Sequence, residues 1–320
     1  MVRTKLLKKT LALAALALGL CGPAVAGDAP EGNTFSVETY TLSSGGKPIF
    51  RPSWMHSDVA DAWARGYRGQ GSVVTIVDEH ESGSKIFANL GIGAKSLRHG
   101  EWTKMQIGMI APSALMAEQD FTETQTVRLY SRYLNVLNLS YGFVGPAGYP
   151  AHLIPWLDRE ASIIDYATNG TAVIIKAAGN DSVAVSTANA AGRFDYLNQA
   201  LVGTQAVFVG ALSSHGSPDA LASLAGYSNF AGSNAAIQNR YLTVGVLDDN
   251  TGLAGTSFAA PIVSGYAAII GTKFRGAAPN DVADQLLNTA RTDTILGYTP
   301  SLHGRGEASL SRALAPATIN

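Results

Sequence analysis

The sequence predicts an α/β protein in three layers, with helices covering both faces of a mainly parallel sheet. Three observations carry this. Short β-branched runs alternate with helical patterns along most of the 320 residues. Hydrophobic residues make up 46% and charged residues only 15%, enough apolar matter for one large core. The stretch 253–272 holds no charge at all yet is broken by Gly, Ser, Thr and Pro. It is too polar for a membrane span, which makes it the buried central helix of a large domain.

The elements follow in order. Arg3, Lys5, Lys8 and Lys9 precede an apolar run from Leu11 to Leu20, then Ala24-Val25-Ala26 and Gly27. This is the pattern of a secretory signal peptide cleaved after Ala26, giving a secreted or periplasmic protein. Cys21, the single cysteine, lies inside that segment. Its rival reading is a lipoprotein site, disfavoured by the large Leu20 before it. Cleavage after Ala26 leaves a mature chain without thiol or disulfide chemistry. Residues 27–52, rich in Gly, Ser, Thr and Pro, read as an extended arm, and 53–320 as the folded domain. That arm is short for a folding prodomain.

Ser57 is expected to cap a helix running to Gly66. Val73 to Val77 is a buried strand. A strand over 114–121, a helix over 127–133 and a strand over 136–140 follow. Next come a helix at 158–168 and strands at 171–176, 206–212 and 241–246. Helices over 257–273 and 280–291 close the chain. In such sheets ligand sites gather at the C-terminal ends of the strands. The 23 basic and 24 acidic residues give a net charge of -1. No basic footprint for nucleic acid or an anionic membrane results, and a monomer acting on a peptide or protein is expected.

Chemistry concentrates at Gly255-Thr256-Ser257-Phe258-Ala259-Ala260-Pro261. A serine hydroxyl is a weak nucleophile that needs a base and donors for an oxyanion. At the start of a buried helix, unpaired backbone N–H groups and the helix dipole favour negative charge. Small neighbours admit a substrate chain, and Pro261 is tolerable near the first turn. A plain helix cap is the bland alternative for Gly-Thr-Ser taken alone.

The seven-residue motif resembles the nucleophile motif of the subtilisin-like serine proteases, and the resemblance extends from about residue 53 to about 316. Gly304-Arg305-Gly306 with Leu310 and Ala313-Leu314 resembles the close of the protease domain in bacterial autotransporter subtilases. The family order is Asp, His, Ser. It implies Asp78 at the end of the Val73–Val77 strand, His99 before Gly100, and Ser257 as the triad. Asn180, after Ala177-Ala178-Gly179, is implied as the amide donor to the oxyanion. Ser140-Tyr141-Gly142 is implied to bind the substrate backbone by strand addition, and Ala178 and Gly179 are implied as further substrate-binding residues. The chain departs from the family at Glu79-His80-Glu81, where a small residue and Gly are usual, and at Glu101-Trp102-Thr103, where Thr-His-Val is usual. His80 is thus a rival for His99, though its closeness to Asp78 in sequence makes a triad awkward. No metal is assigned to the Glu79-His80-Glu81 group. No cofactor is required; the family's structural calcium is not supported, because the loop after the histidine motif is short. Lys176 stands where the family is apolar and has no explanation in the sequence. The implied function is a secreted serine endopeptidase; a catalytically impaired binding protein and an esterase are the rivals.

Overall fold

A computed structural model describes residues 37–40 and 49–319. The expected signal peptide and most of the 27–52 arm lie outside the described residues. Within the arm, β1 (Val37–Tyr40) pairs antiparallel with β2 (Ile49–Pro52). The chain continues through α1 (Ser57–Ala64), β3 (Ser72–Asp78), β4 (Ile86–Ala88), β5 (Lys95–Leu97) and α2 (His99–Ile110). Next come β6 (Leu115–Asp120), β7 (Leu134–Leu139), β8 (Val144–Pro146), α3 (Asp158–Asn169) and β9 (Val173–Ala177). Then follow β10 (Arg193–Asp195), α4 (Tyr196–Leu201), β11 (Val207–Leu212), α5 (Ala235–Gln238) and β12 (Tyr241–Gly245). The last elements are α6 (Asp248–Thr251), α7 (Thr256–Lys273), α8 (Pro279–Asn288), α9 (Pro300–His303) and α10 (Leu310–Ala313).

Six strands form one parallel sheet in the order β12-β11-β9-β7-β3-β6. Every β3, β7, β9 and β11 residue but Leu134, the first of β7, is buried, so both faces must be covered. The two-residue period of a strand divides the side chains between two cores. Val74, Ile76, Val136, Ile175 and Val209 join α2, α7 and α8 on one face. Val77, Leu137, Leu139, Ile174 and Phe208 join α3 and α4 on the other. This is the expected three-layer α/β arrangement. The chain leaves β3 for β6 on one side and returns to β7 on the other. That reversal opens a crevice at the C-terminal ends of β3 and β7.

The charge-free stretch is indeed central. α7 runs beneath the sheet, and of its residues only Gly271 and Lys273 are not buried. Pro261 falls in its second turn, beyond the first turn where the ring is harmless. It removes the N–H that would bond the Ser257 carbonyl. That carbonyl instead accepts from the Ser140 hydroxyl at 2.9 Å.

Four local expectations are corrected. His56, not Ser57, caps α1, its Nδ1 accepting from the Asp58 N–H at 3.2 Å. No helix forms over 127–133. Val127 is stretched between the Ser162 hydroxyl and the Tyr166 hydroxyl, Asn135 holds Tyr130, and Arg132 takes a left-handed φ of 70°. The helix expected over 280–291 is α8 and stops at Asn288, because Thr289 turns its hydroxyl back onto the Gln285 carbonyl and Arg291 bridges to Glu307; the short α9 and α10 follow it. The sequence reading also lacked α2, whose buried side includes polar Thr103 and Gln106 beside Trp102, Ile107 and Ile110.

Candidate active site

β3 ends on Asp78, whose side chain is 1% exposed. Its Oδ1 lies 2.6 Å from His99 Nδ1 and also accepts from the Glu79 N–H at 2.7 Å. Its Oδ2 accepts from the Thr103 hydroxyl at 3.1 Å. A carboxylate oxygen only accepts here, so Nδ1 carries the proton and Nε2 keeps its lone pair. His99 opens α2, and the helix start is pinned by the Gly100 N–H donating to the Glu79 carbonyl at 3.0 Å. A Cβ at position 100 would lie 2.6 Å from that carbonyl and from the His80 ring, which is why glycine follows His99. Burial disfavours the imidazolium of His99, but the charge and hydrogen bond of Asp78 and the charge of Glu79 outweigh it. The pKa of His99 is raised above its ordinary 6.5.

His80, the rival, does not reach Asp78 by hydrogen bond. Its backbone N–H donates to Asp120 Oδ2 at 2.6 Å, and its Nδ1 sits 3.4 Å from Glu118 Oε2. Asp120 thus takes up the unusual segment after Asp78 and ties it to the end of β6. Among the described residues no three His, Cys, Asp or Glu side chains are gathered to hold a metal ion.

Ser257 is the second residue of α7, too early for its N–H to have a partner inside the helix. The next residue, Phe258, has its ring centroid 5.2 Å from that of His99. The Ser257 hydroxyl donates to the Ser140 carbonyl at 3.2 Å. Ser140 and Ser257 therefore hold each other by reciprocal bonds between the end of β7 and the start of α7. The arrangement continues inward. Asn138 Nδ2 donates to Ser140 Oγ, and Ser264 Oγ donates to Asn138 Oδ1, both at 3.0 Å.

Asn180 lies three residues past the end of β9. Its Oδ1 accepts from the Thr256 N–H at 2.8 Å and from the Thr256 hydroxyl at 2.9 Å. A backbone N–H can only donate, which fixes the amide orientation and leaves Nδ2 as the outward donor. The Thr256 hydroxyl in turn accepts from the Gly179 N–H at 3.0 Å. Gly179 and Gly255 hold φ values of 113° and 127°, and an added Cβ on Gly255 would lie 3.1 Å from Asn180 Nδ2. Glycine at these two places lets the strand end and the helix start approach closely.

The expected substrate segments divide. Tyr141 turns its ring into the core, where its hydroxyl donates to buried Glu160 at 3.1 Å, so only its backbone is left to the cleft. Gly142 has Asp195 beneath it; a Cβ there would stand 2.6 Å from Asp195 Oδ2. Both backbone groups of Ala178 are already engaged within the fold. Its N–H donates to Val209, and its carbonyl accepts from both Asn198 and Asn229. Its backbone therefore has no free N–H to offer a substrate. Beyond Gly142, Phe143, Tyr149, Ile154 and Tyr196 line a mostly apolar pocket of about 380 Å³.

Thr103 and Thr256 were missed as site residues. Thr103 stands four residues after His99 on the same helical face, a spacing legible only once α2 is recognised. Thr256 lay inside the motif, but its two bonds to Asn180 span 76 positions.

A model of the subtilase family matches residues 91–309. The chain belongs to the subtilase family. This subtilase is accordingly a serine protease by descent, and solved proteases share its fold. The prenylagaramide maturation protease PagA is 20% identical, with 80% of this chain and 96% of that one covered at a TM-score of 0.53. A Pseudoalteromonas arctica protease is 17% identical, covering 82% and 94% at 0.51. The serine protease MycP1, an essential component of the type VII (ESX-1) secretion system, is 17% identical, covering 87% and 92% at 0.55. No curated protein sequence matches this subtilase. No helix among its described residues is long and apolar enough to cross a membrane.

Proposed function

We propose that this subtilase is a secreted serine endopeptidase working through Asp78, His99 and Ser257. The observation that carries this is the 2.6 Å bond between Asp78 and His99, made beside an Asn180 whose Oδ1 is tied to Thr256. The first sets the base in the tautomer that accepts a proton. The second leaves a neutral amide donor fixed next to the nucleophile.

In this reading Ser257 Oγ turns from the Ser140 carbonyl and gives its proton to His99 Nε2 as it bonds the peptide carbonyl carbon. Asn180 Nδ2 and the Ser257 N–H hold the oxyanion. His99 then protonates the departing amine as the C–N bond breaks. Water, deprotonated by His99, releases the acyl group and restores Ser257. No step calls for a cofactor. Asp78 stabilises the imidazolium formed at each stage. The basic start, apolar run and Ala24-Val25-Ala26 support export with cleavage after Ala26, which N-terminal sequencing at Gly27 tests. A start at modified Cys21 would instead establish a lipoprotein.

Purified mature protein incubated with casein and a labelled fluorophosphonate tests the chemistry. Casein cleavage and labelling are expected, both lost in Ser257→Ala. His99→Ala is expected to fall to the Ser257→Ala level, and His80→Ala to keep most activity. The opposite pattern removes His99 as base. Labelling with ester turnover but no protein cleavage would make the protein an esterase, and neither would make it an impaired binding protein.

A further inference from the structure

Lys176 is fully buried in β9, one residue before that strand ends. An ammonium there needs partners, and it has two. Its Nζ donates to the Ala177 carbonyl at 2.7 Å and lies 3.3 Å from Asp195 Oδ2. Asp195 is 14% exposed. Its Oδ1 accepts from the backbone N–H groups of Phe143, Leu197 and Asn198, at 3.0, 3.0 and 3.3 Å. The Asp195 carboxylate therefore lies directly under Gly142. Asn198, at the start of the helix that Asp195 caps, holds the carbonyl of Ala178 at 3.0 Å. The ion pair thus lies between the segment that leaves β7 at Ser140–Gly142 and the segment that leaves β9 at Ala178–Asn180.

These two segments end at the proposed reaction centre from either side, Ser140 bonding Ser257 and Asn180 bonding Thr256. A substrate carbonyl held at Ser257 Oγ brings its own residue's side chain beside these segments. Asp195, 14% exposed, lies under Gly142 on the first of these segments, and Lys176 is buried behind it. An acid in such a place would ordinarily draw a cationic side chain. Here a buried ammonium from the same chain already occupies that role.

We propose that Lys176 is a specificity-determining residue that masks Asp195, so that the site accepts an uncharged side chain at the residue contributing the scissile carbonyl and discriminates against Lys and Arg. The inference rests on the proposed serine-protease mechanism. A substrate cation brought there meets a carboxylate already paired and an ammonium that repels it. A substrate anion meets the carboxylate. An uncharged side chain pays neither cost. Removing the ammonium while keeping an unbranched, buried side chain exposes the acid to the substrate.

The test is a peptide library varied at that position, digested by the wild type, Lys176→Met and Lys176→Met/Asp195→Asn, with Ser257→Ala as background. The wild type is expected to cleave after uncharged residues at least about tenfold better than after Lys or Arg, an energy gap of about 1.4 kcal/mol. Lys176→Met is expected to raise the ratio of kcat/KM for Arg over Leu by at least about tenfold, and the double variant to reverse the gain. A wild-type preference for Lys, Arg, Asp or Glu overturns the inference, and this readout stands even if the buried substitution prevents folding. An unchanged ratio in folded Lys176→Met overturns it as well, while leaving Ser257-dependent cleavage intact. Loss of all Ser257-dependent cleavage in the wild type overturns the mechanism itself, and this inference with it.

Discussion

Thr256→Val is the sharpest probe of the amide geometry, because it keeps shape and removes one hydroxyl. Thr256 is fully buried, and its hydroxyl serves two neighbours, donating to Asn180 Oδ1 and accepting from the Gly179 N–H. Valine leaves the Gly179 N–H without an acceptor, which costs about 1–3 kcal/mol of stability. For a domain of this size that is a fall in Tm of about 2–12 °C, at about 2–4 °C per kcal/mol. Asn180 keeps its bond from the Thr256 N–H at 2.8 Å, so it is loosened rather than released. Loss of one of two hydrogen bonds to the amide weakens its hold by about 1 kcal/mol. The expected fall in kcat is about fivefold, since about 1.4 kcal/mol is tenfold. Asn180→Ala removes the donor altogether and is expected to lower kcat about 10²–10³-fold with little change in KM. If Thr256 acts only through Asn180, Thr256→Val adds nothing to kcat in the Asn180→Ala background. Stopped assays on a peptide substrate and thermal melts of all three variants measure both effects. A fivefold loss that persists in the double variant, or a loss confined to KM, would refute the assignment of Thr256 as the support of an oxyanion donor.

Because the pKa of His99 is raised, its proton leaves only above pH 6.5. The acid limb of kcat/KM against pH is therefore expected above that value, and Glu79→Gln, which removes one of the charges responsible, should move the limb downward. His215 behaves oppositely. Burial, the neighbouring His56 and the charges of Arg51 and Arg291 hold its pKa at about 4, against a bond to the Trp54 carbonyl that favours the charged form. Its folded pKa lies below its unfolded one, so the unfolded chain binds the proton first. Stability is expected to fall as pH drops from about 6.5 to about 4, by roughly 3 kcal/mol in total. Chemical denaturation across that range should show a shallower slope in His215→Gln; an equal slope would acquit His215. Gly100→Ala forces a methyl against the Glu79 carbonyl and is expected to cost about 1–3 kcal/mol and to displace His99, read as a lower Tm together with a lower kcat. Ser140→Ala leaves the Ser257 carbonyl, already deprived of its helical donor by Pro261, without its hydroxyl donor. A loss of about 1–3 kcal/mol is expected in denaturant titrations.

The sequence by itself determined the sheet and the chemistry that sits in one stretch of chain. Val73 to Val77 has a single reading, because a β-branched run with no polar face must be buried on both sides. Ser257 was legible because its whole setting, from Gly255 to Pro261, is contiguous. Local pattern failed where distant groups set the conformation. Val127 to Tyr133 has helical apolar spacing, yet bonds from α3 and from Asn135 hold it extended. α2 escaped notice because its inward face carries polar Thr103 and Gln106, whose burial is made acceptable by Asp78 and by the Phe258 carbonyl. His99 and His80 stood as rivals in the sequence, and only the tertiary structure set one on Asp78 and the other beside Glu118. Lys176 was an anomaly in the strand pattern, and its partner, 19 residues on, follows an intervening loop. Hydrophobic periodicity records which side of an element is buried. It does not record which polar group waits there, and that pairing is decided only when the strands and helices pack.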